Sequence, residues 1–440
     1  MGLWERVKPP SSWAALWRAP VGRALIVAAA GLLAATAVGL WVMWPGSTRT
    51  ASSRGAQHTE SAKVVSVIAG PCQQGECRFA EVRMLSGGDR GRDSVVTFTP
   101  QDRSPHYSAG DRVRVLPNER RPPPNATGPA GIPEPDPTAG PPSEFTYSIV
   151  DYDRRLPMVW LAVAFGVLVI LAGRVRGLLS LVGLGTGIVI VTQFVIPAMV
   201  AHRSPFLVAL VGSLATMFVT VGLTSGLSAQ SLAASLGIAG SLLIASGLGV
   251  LYVHIAHLTG LSSDVATTLS LGTGLSLQGL VLAGFVIGAL GVLADMAVTQ
   301  ASTVMALRRA NPELGFGAVY REAFAVGRDH LSATVNTLVF AYVGATLPLL
   351  LLFKTAGVTF TDAINTQEVS EAVIATLVGA IGVIASVPLT TGLATLLATR
   401  LPAGAVPVDP HGHAHHHRLS AGRRAPAAER RARRWAASCR

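Results

Sequence analysis

Asp295 is the only charged residue between Leu280 and Leu307, in the run LVLAGFVIGALGVLADMAVTQASTVMAL. A lone carboxylate in a segment long enough to cross a bilayer costs on the order of 2.5 kcal/mol or more. It normally faces a bundle interior or a water-filled path. The chemistry open to it there is cation binding or proton relay. Gly284, Gly288, Gly291, Asp295, Thr299 and Ser302 recur at steps of three and four residues, so a helix sets them on one face. The glycine end of that face suits close helix packing, and the other end is polar. Gln300 adds an amide close by in sequence. Asn336 carries another on the next apolar segment, behind Arg328, Asp329 and His330. In hydrocarbon such groups need partners from the protein itself. Two readings stay open: a polar path lined by Asp295, Thr299, Gln300, Ser302 and Asn336, or a hydrogen-bond network that only joins helices. Arg328, Asp329 and His330 read as interfacial polar residues at a helix start.

Other residue clusters carry weaker signals. His254 and His257 are three apart and fit an interfacial polar pair better than a metal site. His411, His413, His415, His416 and His417 have the density that binds divalent transition metals, within a tail whose Pro, Ala and Arg content equally describes a solvated low-complexity segment. Cys72 and Cys77 could close a loop by a disulfide in an oxidising compartment. There is no phosphate-binding glycine loop, no His-Glu-x-x-His zinc motif and no nucleophile elbow. An enzyme is therefore not expected, nor is any cofactor.

The elements that must position these residues follow from composition. The 440 residues are half hydrophobic and only 13% charged, against about a quarter in soluble domains. The net charge of +11 sits in short loops and in the C-terminal tail. Charge so placed fits cytoplasmic loops and anionic lipid rather than nucleic acid. Apolar runs predict spans at Ala24–Trp44, Pro157–Gly173, Leu178–Pro197, Phe206–Leu227, Leu232–Ile255, Gln278–Met296 or beyond, Leu331–Phe353 and Ala372–Thr399. The expected fold is an α-helical polytopic membrane protein with about eight transmembrane helices. A small extracytoplasmic β domain lies between the first and second, because Lys63–Ala69, Arg78–Leu85, Ser94–Thr99 and Arg112–Leu116 alternate or are β-branched between turn residues. A short barrel of the OB type is compatible with it.

The expected layout is a cytoplasmic N-terminus (1–23), an anchor helix (24–44), the β domain (45–116) and a Pro-rich linker (117–156). A seven-helix membrane domain (157–400) and a His/Arg-rich cytoplasmic tail (401–440) follow. Arginine bias places both termini in the cytoplasm of a bacterial plasma membrane. The expected partners are the lipid bilayer, an unidentified small solute or ion, and a second copy or an envelope protein.

Several polar positions inside apolar segments agree together with a known family. Gly291-Val-Leu-Ala-Asp295-Met-Ala-Val-Thr-Gln300-Ala-Ser302 resembles a span motif of the YibE/F family of bacterial multipass membrane proteins. Gly327-Arg-Asp-His330, Asn336-Thr-Leu-Val-Phe-Ala-Tyr-Val-Gly344, Leu347-Pro-Leu-Leu-Leu-Leu-Phe353 and His257-Leu-Thr-Gly-Leu-Ser262 are similar to its neighbouring stretches. The resemblance covers roughly residues 150–400 and implies a permease-like membrane protein. Many relatives carry an acidic residue where this chain has Ala294. A family site built on a carboxylate pair would keep only Asp295 here. The preferred reading is a secondary permease, and the alternative is a membrane scaffold or envelope sensor acting through the β domain.

Overall fold

The computed structural model describes Trp17 and residues 19–46, 59–72, 75–98, 107–117, 147–262, 266–269 and 274–400, with the side chains of 69–78 and 97–98 also left aside. Seven described helices are long and apolar enough to cross a membrane. The first, α1, is Pro20–Met43 and opens on proline, whose missing N–H costs nothing in a first turn. After the β region come α2 (Arg155–Ile190), a π-helical turn (Val191–Val195) and the short α3 (Ile196–Val200). Then follow α4 (Pro205–Ser225), α5 (Ala229–Ile255), α6 (Leu277–Ala310), α7 (Phe316–Thr355), the short α8 (Phe360–Asn365) and α9 (Gln367–Arg400).

Eight spans were expected and seven long helices are present, because two predicted spans share α2 and its continuation. The helical stretch from Arg155 to Val200 is two helices that meet at a break, where Arg174 has φ 49° and ψ −127°. At Gly177 an added Cβ would lie 2.1 Å from the carbonyl oxygen of Val169, so only glycine fits the bend. Beyond the break, Leu181 lies beside Gly166. The two predicted segments, Pro157–Gly173 and Leu178–Pro197, are thus the arms of one hairpin. The π-turn sits where Pro197 lacks an N–H and crowds the carbonyl of Gln193, which widens the turn. Gln193 itself is exposed.

α4, α5, α6 and α9 form the centre, whereas α1, α2 and α7 bury little within the chain. The tightest seam joins α5 and α9. Ala229, Ala233, Gly237, Ser241, Ala245 and Gly249 repeat every four residues along α5, and all are buried. A Cβ on Gly237 would lie 2.0 Å from Thr390 Oγ1 and 3.2 Å from Thr390 Cα. A Cβ on Gly382 would lie 3.0 Å from Ala245 Cβ. As α5 advances from Gly237 to Ala245, α9 recedes from Thr390 to Gly382, so the helices are antiparallel. Small residues let the two backbones approach, which is what binds helices where no hydrophobic drive separates protein from lipid. Ser228 and Ser231 close a capping box at the start of α5.

The β region is one curled antiparallel sheet in the order β3-β2-β1-β4-β5, from β1 (Glu60–Cys72), β2 (Gly75–Met84), β3 (Asp93–Phe98), β4 (Arg112–Pro117) and β5 (Tyr147–Tyr152). The edge strands β3 and β5 approach one another. Ala62, Val64, Ala80, Val82, Met84, Val96, Val113 and Val115 fill the inside of the curl. Four strands match the expected ones. The fifth corrects the domain boundary: Tyr147–Tyr152 belongs to the sheet, not to a linker over 117–156. Its alternation is only six residues long and abuts a Pro-rich stretch, which masks it.

One more boundary changes. α6 runs beyond Met296 to Ala310, as the expected span allowed, but α7 begins at Phe316 rather than Leu331. The expected cytoplasmic loop of some twenty residues reduces to Asn311–Gly315. Val319, Ala323 and Gly327, four apart, bury their side of α7 and extend the helix beyond its apolar run. At 1.5 Å per residue α7 is about 60 Å long, roughly twice the hydrocarbon thickness.

Candidate functional site

α6 turns two unlike faces to its surroundings. Asp295 lies on the exposed one, its side chain 71% accessible. Gly284, Gly288, Gly291 and Thr299 are exposed on the same side, and Ser302 is half-buried below them. The side chain that meets Asp295 is His330 of α7, with Nε2 at 3.9 Å from Oδ2. That is an ion-pair separation when the imidazole is protonated, and too long for a hydrogen bond. Asn336 does not join them: it is exposed further along α7, with no hydrogen bond or ion pair to Asp295. Arg328 and Asp329 are exposed on α7 within the helix, one turn below the apolar stretch.

The glycine face is not closely packed within the chain. A Cβ on Gly284 or Gly291 would meet nothing within 4 Å, and one on Gly288 would meet only the hydroxyl of Tyr342, at 3.3 Å. The close approaches that glycine was expected to permit here occur instead at Gly237, Gly327 and Gly382.

Gln300 points the other way. It is 2% exposed, and its amide nitrogen donates to the Ala323 carbonyl at 2.6 Å and to Thr391 Oγ1 at 2.7 Å. Five residues along a helix turn the side chain by about 140° from Asp295, at ~100° per residue. The amide therefore clamps α6 to α7 and α9 in place of lining a path with the carboxylate. Gly327 makes room for the clamp, since a Cβ there would sit 2.6 Å from Gln300 Oε1. Hydrogen bonding thus joins helices at Gln300, while Asp295 and Thr299 stay on an open face.

A second set of polar groups escaped the sequence reading. Ser241, Ser386, Thr390, Thr391 and Thr395 are wholly buried around the α5–α9 seam. Ser241 donates to the Gly237 carbonyl at 2.7 Å, and Thr391 to the Val387 carbonyl at 2.6 Å. Ser386, Thr390 and Thr395 have no hydrogen-bond partner. The signal was present as small and hydroxyl residues every four or five positions, but such residues look neutral in an apolar run. Between α5, α6 and α9 a crevice lined by Ser246, Gly249, Leu282, Phe285 and Val378 is too narrow to admit a water molecule.

In the sheet, Tyr147 donates to Asp89 Oδ2 at 2.7 Å. This bond, then burial, pushes the phenol up to about 12. Arg154 beside Asp151, with the backbone N–H of Tyr152, holds that carboxyl below its usual range.

The backbone register sets Cys77 opposite Gly70 and Cys72 opposite Gly75; the two thiols lie outside the described side chains. His411, His413, His415, His416 and His417 lie outside the described residues. Within the described residues no three His, Cys, Asp or Glu gather as metal ligands.

The model of the YibE/F-like protein family matches residues 161–400, more than half of the chain. The chain belongs to that family. The match runs from the first turns of α2 to the end of α9, and with it takes in Asp295, His330, Gln300 and the α5–α9 seam; the β sheet lies outside it. No curated protein and no solved structure matches. Family membership and the apolar helices together indicate a multipass membrane protein.

Proposed function

We propose that this YibE/F-like protein is a secondary permease for an ion or small solute, with Asp295 as its coupling or binding carboxylate. The observation that carries the reading is the placement of Asp295. It is an ionisable group deep in an apolar helix, on an open face, 3.9 Å from a histidine that can share a proton or cation with it. Thr299 and Ser302 extend the same face. The arginine distribution supports cytoplasmic termini in a bacterial plasma membrane, with the sheet outside. The strand order, with β3 approaching β5, supports reading the sheet as a partly open five-stranded barrel of the OB type. The work is movement rather than bond chemistry.

Flux into proteoliposomes, measured across a panel of ions and small solutes under a proton or sodium gradient, tests the reading. Wild type should move at least one of them and Asp295→Asn should not. A well-folded wild type that moves nothing, or an Asp295→Asn variant that matches wild type, removes the proposal.

A scaffold or envelope-sensor reading has one observation in its favour. Ile68 on β1 and Val95 on β3 are exposed on the outer surface of the sheet, beside the Ser66–Glu81 hydrogen bond. Cross-linking from Ile68 in intact cells, with capture of a defined envelope protein and no flux activity, would favour it.

A further inference from the structure

We infer that the cytoplasmic face of the bilayer crosses the bundle at a ring of arginines, Arg23, Arg174 and Arg328, which hold lipid phosphates, and that the Asp295–His330 pair is reached from the cytoplasm in this conformation. The second half rests on the proposed role of Asp295. α4 sets the scale: its 21 residues span about 30 Å, one hydrocarbon thickness. Close contacts carry that scale to its neighbours. On α1, Gly39 lies against Val211 and Trp44 stacks on Phe194, so α1 runs opposite to α4. Arg23 then falls level with the end of α4, and Trp44 level with its start. On the hairpin, Gly187 lies against Thr216 and Gly183 against Thr220, which brings the reversal at Arg174 to the same end. On α6, Gly279 lies against Pro205, so Thr299 is level with Ser225. Arg328 is two residues from His330, which meets Asp295, and so lies between the levels of Asp295 and Thr299.

Three helices thus bring a guanidinium to one level, and none of the three groups has a hydrogen bond or ion pair among the described residues. Phosphate oxygens of anionic lipid are the partners that layer offers. At the other end, about 30 Å away, Trp41 and Trp44 are exposed where an interfacial aromatic belt belongs. Beyond the ring, α6, α7 and α9 project together as a stub of about 15 Å around Val304, Met305, Val319 and Ala323. Of the large apolar side chains on the stub only Phe316 and Val326 are exposed, whereas the hairpin exposes them throughout. The stub accounts for the length of α7. Asp295 is four residues from Thr299, about 6 Å inside the ring, and needs no long path to reach cytoplasmic water.

Labelling of single cysteines in the full-length chain tests this. In a background of Cys72→Ser, Cys77→Ser and Cys439→Ser, membrane-impermeant maleimide is added to spheroplasts and to inside-out vesicles. Ala306→Cys on the stub and Asp295→Cys should label in inside-out vesicles alone, and Ser204→Cys in spheroplasts alone. Val182→Cys, exposed on the hairpin at the depth of Asp295, should label in neither. Protection of Ala306→Cys, labelling of Asp295→Cys from outside or from neither side, or labelling of Val182→Cys from the cytoplasm overturns the inference. The ring is read separately in purified protein. Phosphatidylglycerol should raise the thermal midpoint above that in phosphatidylcholine. Arg328→Gln should lose part of the rise, the combined Arg23→Gln, Arg174→Gln, Arg328→Gln chain most of it, and Arg321→Gln on the stub none. An equal rise in all four, or none in wild type, removes the phosphate partners. Failures of the two readings separate. Cytoplasmic labelling of Asp295→Cys, with a wild type that moves no solute, keeps the bilayer position and removes the transport role. Wild-type flux with Asp295→Cys labelled only from outside keeps the permease and overturns the inference.

Discussion

The two faces of α6 invert the usual relation between polarity and burial. Gln300 is enclosed and its amide is used up by two neighbouring helices, whereas Asp295, five residues earlier, is exposed with a histidine at ion-pair distance. The first arrangement holds three helices together and leaves nothing for a ligand. The second contributes little to holding the chain together and leaves its carboxylate oxygens available. Polar residues in one membrane helix are therefore not one class, and the helical angle between them separates structure from chemistry.

The sharpest way to break this contrast is at the packed side. Gly237→Ala forces a methyl against the Thr390 side chain and backbone, and overpacking of that kind costs about 1–3 kcal/mol. Thermal unfolding of the purified protein should show it as a lowered midpoint. Next, Gln300→Leu keeps the volume but removes both donated hydrogen bonds, at about 1 kcal/mol. Combined with Thr391→Val it should lose less than the sum of the single changes; strict additivity would mean that the clamp carries no coupling.

The sheet offers a change remote from both faces. Tyr147→Phe removes the bond to Asp89 and should lower stability by about 0.5–1 kcal/mol, toward the low end because the site is only partly screened from water. The phenol is raised above its ordinary value near 10, so its contribution is complete below that pH and disappears as pH rises toward about 12. A pH series of denaturation curves should show the wild type converging on Tyr147→Phe over that window.

The smallest effect on folding belongs to Asp295→Asn, within about 0.5 kcal/mol for an exposed side chain. It is also the change expected to abolish flux. A large loss of stability there would place Asp295 with Gln300 as a structural group and erase the comparison.

Much of the fold was legible because hydrophobic runs measure themselves against the bilayer. The hairpin at Arg174 could be read from two apolar runs separated by arginines, though not the tight reversal that only glycine permits at Gly177. The start of α7 could not, because Val319, Ala323 and Gly327 mark one narrow buried stripe inside a charged stretch. β5 was hidden by its proline-rich neighbour. At the candidate site, the 3.6-residue period placed Asp295, Thr299 and the glycines together correctly. It also carried the warning about Gln300, since five residues point nearly opposite ways, but counting polar residues as a group overrode the angle. The partner His330 was named only as an interfacial residue. That it reaches α6 depends on the crossing of two helices, which neither periodicity encodes.

The join between sheet and helix has a mechanical meaning. β5 ends at Tyr152 and α2 starts at Arg155. Asp153, between them, accepts from Ser61 Oγ on β1 and from the Arg155 N–H, while the Arg114 guanidinium on β4 donates to the same Ser61 oxygen. Strands β1 and β4 are thereby tied to the residue that leads from β5 into α2. A pull on the sheet therefore reaches α2 through a two-residue joint, Asp153 and Arg154, whose first residue is hydrogen-bonded on both sides.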